Sequence, residues 1–280
     1  MDDLAKTGSF DVAPIDFIGG TTGLEGVDRD CITLPFLKIA QDSSDQVKKN
    51  SSARIEGLEP GMFFCPATKK IYGPEFRGII LKFYRNFAVY DGEGMDSNFL
   101  GTITPAEFKN KIENAEGSHR VKSYTLDVNG HRYVDTRNFV MLSLDALQDG
   151  PMLLGMASTN IKPSRTLLTQ ATAIKVVKDG ESIQAPIWAS VWSLKAAYFE
   201  NPPYSYYSIS DTNRLGWIPK SMAADVKELF DSMVEAHIES GPIEDEPKAE
   251  EPKAPSYASP VANVFGGRPT TDASKEPQIF

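Results

Sequence analysis

A chain of 280 residues, 41% hydrophobic and 10% aromatic, is long enough to bury a sizeable core in one large or two small domains. It contains no apolar run of about 18 residues and no basic, apolar leader, so neither a membrane span nor a secretory signal is expected and the cytoplasm is the expected compartment. Its two cysteines, Cys31 and Cys65, lack any CxxC or Cys/His spacing, which argues for reduced thiols and against a zinc site.

The net charge of −9 resides mostly at the ends. Residues 1–30 hold seven acids against two bases, and residues 241–280 seven against four. The stretch between them is nearly balanced, and Ser158 to Lys178 carries Lys162, Arg165, Lys175 and Lys178 without a single acid. A near-neutral body flanked by acidic termini leaves room for a basic groove.

Taken in order, residues 1–30 mix Gly, Asp and Thr with few periodic apolar positions and read as a flexible arm. The run from Gly19 to Gly26 has no Gly-Lys-Ser/Thr ending and is not a phosphate loop. Residues 31–240 read as the folded body. Its first apolar block, Thr33 to Gln41, anchors the arm, and a strand from Met62 to Cys65 follows the Glu59-Pro60-Gly61 turn, with a hairpin tip near Lys69 and Lys70. Arg77 to Asp91 is the long central strand. A strict period of two puts Ile79, Leu81, Phe83, Phe87 and Val89 on a core face and Ile80, Lys82, Tyr84, Asn86 and Tyr90 on the other.

Thr104-Pro105-Ala106-Glu107 has the cap, first-turn proline and acid of a helix start, and the helix is expected to run to about Ala115. Asn129-Gly130 marks a hairpin between strands at 123–128 and 131–135, followed by strands at 138–144 and 152–157. A helix is expected from about Ser164 to Lys178, stopped by Asp179-Gly180. Ala185 to Phe199 reads as a strand with Trp188, Trp192, Leu194 and Tyr198 on one face, broken at Asn201-Pro202-Pro203. Tyr204, Tyr206 and Tyr207 crowd a short strand or loop, and an amphipathic helix from Ser221 to Glu239 closes the body. Residues 241–280 are Pro-, Glu- and Ala-rich and read as a disordered acidic tail.

No nucleophile with its base, metal cluster or phosphate cradle stands out, so the chain reads as non-catalytic and without a cofactor. His119, His131 and His237 read as surface or cap residues. Asp127, Asp135 and Asp145 lie near strand ends and leave a magnesium-dependent nuclease as one alternative; a structural or assembly protein is another. Aromatic and basic residues interleave more often. Lys82, Tyr84 and Tyr90, then Arg132, Tyr133 and Arg137, then Lys195 and Tyr198 are strand-borne sets, and Lys162 and Arg165 sit at a helix start. Cations that meet phosphate beside rings that stack on bases are what a single-stranded nucleic acid requires. The two tryptophans, alternating with small residues, fit core packing or stacking. The tail ends in Ile279 and Phe280, an aromatic tip with its own carboxylate that fits an apolar pocket rimmed by cations on a partner protein.

LPFLKIAQ at Leu34 to Gln41, PGMFF at Pro60 to Phe64, GIILKFYRNFAVY in the central strand and PIWASVWSLKAAYFENPPYSYY together resemble the phage-encoded single-stranded-DNA-binding proteins. The tail resembles the acidic tails of bacterial single-stranded-DNA-binding proteins, although it lacks their aspartate run and ends Pro-Gln-Ile-Phe in place of Ile-Pro-Phe. The resemblance implies a mainly β protein with added helices, an elaborated OB-type five-stranded Greek-key barrel. It implies largely sequence-independent binding of single-stranded DNA in phage replication or recombination, in the host bacterial cytoplasm. The tail would recruit replication or recombination proteins or compete with DNA for the groove.

Overall fold

The computed structural model describes residues 34–92, 97–121, 123–202 and 204–235. The expected N-terminal arm at 1–30 and the tail at 241–280 lie outside them. The fold is mostly β, built on a curled antiparallel half-barrel sheet with three helices. A small sheet comes first: β1 (Lys38–Ile39), β2 (Phe63–Cys65) and β3 (Lys70–Gly73), in that order. The expected turn between β2 and β3 is present, with Lys69 at φ 57°.

The main sheet is carried by two long strands, β4 (Glu75–Asp91) and β8 (His131–Ser143), antiparallel from Gly78 opposite Ser143 to Asp91 opposite His131. Each shares its outer edge between two partners. Along β4, β12 (Ser190–Asn201) pairs with Glu75 to Ile79 and β5 (Asn98–Ile103) with Phe87 to Asp91. Along β8, β9 (Pro151–Ala157) covers Thr136 to Leu142 and β7 (Tyr124–Leu126) covers Arg132 to Val134, with β6 (His119–Val121) beyond it. β13 (Tyr204–Trp217) adds to β12 as the far edge. This sheet has eight strands, where five were expected.

The expected period of two in β4 fails at one place. A bulge sets both Leu81 and Lys82 against Val140, shifting the register between Ile80 and Lys82. Ile79 and Leu81 therefore join a core with Val140, Leu142, Val191 and Val226, while Ile80 joins the opposite core with Phe76, Phe139, Met141 and Trp192, against which Phe83 packs. Ile79 and Leu81 are thus not on the Phe83 face. Both faces of this part of the sheet are covered, which is why Gly78 to Leu81 and Phe139 to Ser143 are buried without alternation.

Helix α2 (Ile161–Ala173) covers the Ile80–Trp192 core through Leu167 and Ala171, and α3 (Ala223–Glu235) covers the Ile79–Leu81 core through Val226. Trp192 is fully buried, and Trp188 packs on Phe230 at 6.1 Å between ring centres, so both tryptophans belong to the interior, on opposite faces. α1 (Pro105–Phe108) opens with the expected capping box and continues as a π-helical turn, Lys109–Glu113; Phe108 stacks on Phe87 at 3.7 Å. The helix expected to reach Lys178 stops at Ala173. Lys175–Lys178 forms β10, paired with β11 (Glu181–Gln184) through a turn at Asp179 and Gly180, both at positive φ. The β-branched pair Val176-Val177 favours the strand, and Asp-Gly is a hairpin turn as readily as a helix stop.

Phe139→Ala is expected to destabilise the fold by about 3–5 kcal/mol, because its ring is fully buried and packs 5.0 Å from Phe83. Urea denaturation measures this, and a drop in stability below about 1 kcal/mol would place Phe139 outside the core.

Candidate nucleic-acid interface

The sequence pattern groups Lys82, Tyr84, Tyr90, Arg132, Tyr133, Arg137, Lys162, Arg165, Lys195 and Tyr198 in one binding surface. The structure distributes them among separate environments. Lys82 lies on the α3 face and donates from Nζ to the Met233 carbonyl at 2.8 Å, with burial lowering its pKa. Tyr84 packs against the core under α3, where burial raises its phenol to about 12. Its hydroxyl is enclosed without a hydrogen-bond partner among the described residues. Tyr90 is 8% exposed and Tyr133 7%, so none of the three tyrosines offers a bare ring to a base. The expectation fails because it takes these rings as solvent-facing, whereas Tyr84 packs under α3, Tyr90 packs against Phe99 and under Arg132, and Tyr133 packs with Phe87 and Val89 against Phe108.

Tyr133 is held by its own turn. Its hydroxyl donates to Asp127 Oδ2 at 3.0 Å, while Asp127 Oδ1 accepts from the Asn129 and His131 amides at 2.8 and 2.9 Å. Burial alone would raise the Asp127 carboxyl, but these bonds with those from His131 and Tyr133 bring it below its ordinary value. The Tyr133 phenol rises to about 12 through burial first and Asp127 second. Arg132 lies over the Tyr90 ring at 4.7 Å and donates to Ser97 Oγ at 2.8 Å. Asp135 is bound by both guanidinium nitrogens of Arg85, and Asp145 by Arg77. The three aspartates weighed as magnesium ligands are engaged separately, and among the described residues no group of three or more His, Cys, Asp or Glu is placed for a metal.

Aromatic rings come to the surface elsewhere. β12 and β13 form a long ribbon whose outer half runs past the start of β4, since Lys195 opposite Glu75 is the last β12–β4 pair. Tyr198 faces Tyr207 and Phe199 faces Tyr206 across this ribbon. Phe199 and Tyr206 stack at 5.8 Å with planes 17° apart. Tyr198 is 50% exposed and Tyr204 67%. Of these, only Tyr198 belongs to the sets read from the sequence. The signal for the others is present there too: aromatic residues flank Asn201-Pro202-Pro203 on both sides, which in a hairpin makes them partners.

The ribbon is fixed by side-chain amides that complete its outer edge. Gln41 accepts from the Tyr207 amide at 2.8 Å and donates to its carbonyl at 2.9 Å, standing in for a neighbouring strand. Asn160 Oδ1 accepts from Ser208 Oγ and the Ile209 amide. Gly61, at φ 86°, lies under Tyr207, whose ring a Cβ there would approach to 2.7 Å. Between ribbon and α2 runs an open groove of about 340 Å³, lined by Phe199, Tyr206, Lys162, Thr166, Gln170 and Asp211. Both oxygens of Asp211 are occupied, by the Thr212 amide and by Asn213. Lys162 and Arg165 are exposed on α2. Lys195 lies 3.9 Å from Glu75.

Fold and surface together define a groove on an antiparallel half-barrel, with stacked rings on one wall and a lysine on the other. The family model described as Pam3 phage gp34-like protein matches residues 8–239, and the chain belongs to that phage protein family. No curated protein and no solved structure matches it. No described helix is long and apolar enough to cross a membrane.

The raised phenols of Tyr72, Tyr84 and Tyr133 set an alkaline limit on stability. An unfolded tyrosine ionises near pH 10, and Tyr84 and Tyr133 do so near 12 in the fold, so their contribution is complete below pH 10 and is lost as pH rises toward 12. Urea midpoints across pH 8–12 are expected to fall over that window. Tyr84→Phe is expected to flatten part of the fall without destabilising the protein at pH 7, since it removes a hydroxyl that has no partner among the described residues.

Proposed function

We propose that this phage protein binds single-stranded DNA without catalysis and largely without regard to sequence, with the groove between α2 and the β12–β13 ribbon as its base-contacting site. The observation that carries the reading is the stacked Phe199–Tyr206 pair opening onto a groove whose other wall presents Lys162. A ring face accepts any base, and an ammonium accepts any phosphate, so the pairing favours a single strand and discriminates little among sequences. Exposed Tyr198 and Tyr204 extend the aromatic surface toward the ribbon tip.

An OB-type relationship is part of the proposal. Its support is the curl of the sheet and the way β4 divides one edge between β12 and β5, with the remaining strands as elaborations. The role proposed is in phage DNA replication or recombination. Ile279 and Phe280 are proposed as a partner-docking tip on the sequence alone, since they lie outside the described residues.

Fluorescence polarisation on oligo-dT and on duplex across a salt series tests the reading. Binding to oligo-dT is expected to exceed duplex binding and to weaken steeply with salt. Phe199→Ala and Tyr206→Ala are each expected to cost about 1–3 kcal/mol, roughly 5- to 150-fold in affinity, while leaving the melting transition in place. Equal affinity for duplex and single strand, or unchanged oligo-dT affinity in both variants, would overturn it.

A further inference from the structure

On the α2 face of the sheet, the two apolar clusters are separated by a pair of arginines. Phe83 and Phe139 pack toward α2; two residues further along, Arg85 stands directly opposite Arg137; beyond them Phe87, Val89 and Tyr133 pack under Phe108 and the π-helical turn. Directly opposed residues on antiparallel strands hold their Cβ atoms about 4.5–5.5 Å apart, so two like charges face each other where the helical covers leave an interval. Like charges in that position repel. Asp135 offsets one of them by its two bonds to Arg85, and Arg85 also lies over the Phe87 ring at 5.0 Å.

Arg137 has no ion pair of its own among the described residues, and its Nε is enclosed without a hydrogen-bond partner. A third cation approaches from above. Burial lowers the Arg137 pKa, the charge of Asp135 opposes it, and Arg165 on α2 and Arg85 lie near enough to lower it further. Glu113 on the π-helical turn acts on Arg85 from the far side. Among the described residues Arg137 and Arg165 therefore have no ion pair, and Asp135, bonded to Arg85, offsets the charge of Arg137 only in part.

We infer that Arg85, Arg137 and Arg165 form a phosphate-contacting site for the DNA backbone, separate from the aromatic groove and reached by the same strand passing over the N-terminal half of α2. Lys162 and Arg165 stand three residues apart on that helix, Lys162 in the groove and Arg165 beside Arg137. One helix thus links the two sites. Arg137 is half-buried and Arg85 and Arg165 are exposed, so a phosphodiester can reach this cluster and supply the negative charge that the protein gives by ion pair to Arg85 alone.

This inference rests on the single-strand reading, and the experiment separates the two. Wild-type protein, Arg165→Gln, Arg137→Gln and Arg137→Lys are titrated with oligo-dT of about 5 nucleotides, sufficient for the groove, and of about 15, sufficient for both sites. Removing one phosphate-binding cation is expected to reduce the slope of log affinity against log salt by about 0.7 for the longer oligonucleotide. The shorter one is expected to show no change, and Arg137→Lys to recover the slope. Arg165→Gln alters an exposed side chain and keeps the test valid even where Arg137→Gln lowers stability. An unchanged slope for the longer oligonucleotide in Arg165→Gln and Arg137→Gln, with Phe199→Ala still weakening both lengths, overturns the arginine site alone. Failure of the wild-type chain to bind either length overturns the single-strand reading as well.

Discussion

The pairing of β4 with β8, bulged at Leu81, is the constraint on which the rest of the structure depends. An uninterrupted strand of this length would keep one face apolar and the other mixed. The extra residue instead exchanges the faces midway, so that Ile79 and Leu81 point to the α3 side and Phe83 to the α2 side. Two separate cores follow, each needing its own helix. The bulge also adds twist, and with the shifts at Val89/Tyr90, Val191/Trp192 and Lys195/Ala196 it curls eight strands into a half-barrel. Arg85 and Arg137 come to face the interval between helical covers because they lie one step beyond the residues that the apolar side chains of α2 cover.

The ribbon owes its exposed rings to a mismatch of lengths. β12 extends to Asn201, but its pairing with β4 ends at Lys195, and the Ala196 amide goes to the Pro74 carbonyl. Beyond that point the two strands have only each other. A bare two-stranded ribbon is marginally stable in water. Gln41 and Asn160 provide the missing third strand in miniature, and α2 lies along one side, so the ribbon stays ordered while its aromatic faces remain open. The same amides protect part of the β13 edge from pairing with another chain.

Local chemistry is legible in the sequence where a few residues decide the outcome. The capping box at Thr104 and Glu107, the Asn129-Gly130 hairpin and the Lys69 turn all stand where their side chains require. The faces of β4 are not legible, because a bulge is a property of two strands and leaves no mark in one. For the same reason Tyr84, Tyr90 and Tyr133 read as surface residues: a hydroxyl on an alternating strand looks the same whether α3 covers it or water does. Lys162 and Arg165 do lie near a helix start, though the helix begins three residues earlier and ends five sooner than its periodicity indicates. Arg85 interrupts the apolar alternation of β4 at a single step, and that interruption is the signal for a break between the two helical covers.

A chain of net charge −9 is an unpromising ligand for a polyanion only when the charge is averaged. Screening at physiological salt limits the reach of a surface charge to about 8 Å, so the field a phosphate meets is set by its immediate neighbours. Along the proposed path those neighbours are Lys162, Arg165 and Arg137, on a helix and its supporting strand, while Asp135 and Asp211 have their oxygens occupied by Arg85 and by the Thr212 amide with Asn213. Arg85 thereby neutralises Asp135, Asp211 keeps its charge in bonds to neutral amides, and Lys162 and Arg165 stand exposed on α2. Rings on the ribbon and cations on α2 are then held by separate elements, which lets each contribute its own dependence: stacking insensitive to salt, and phosphate contact that falls away with it.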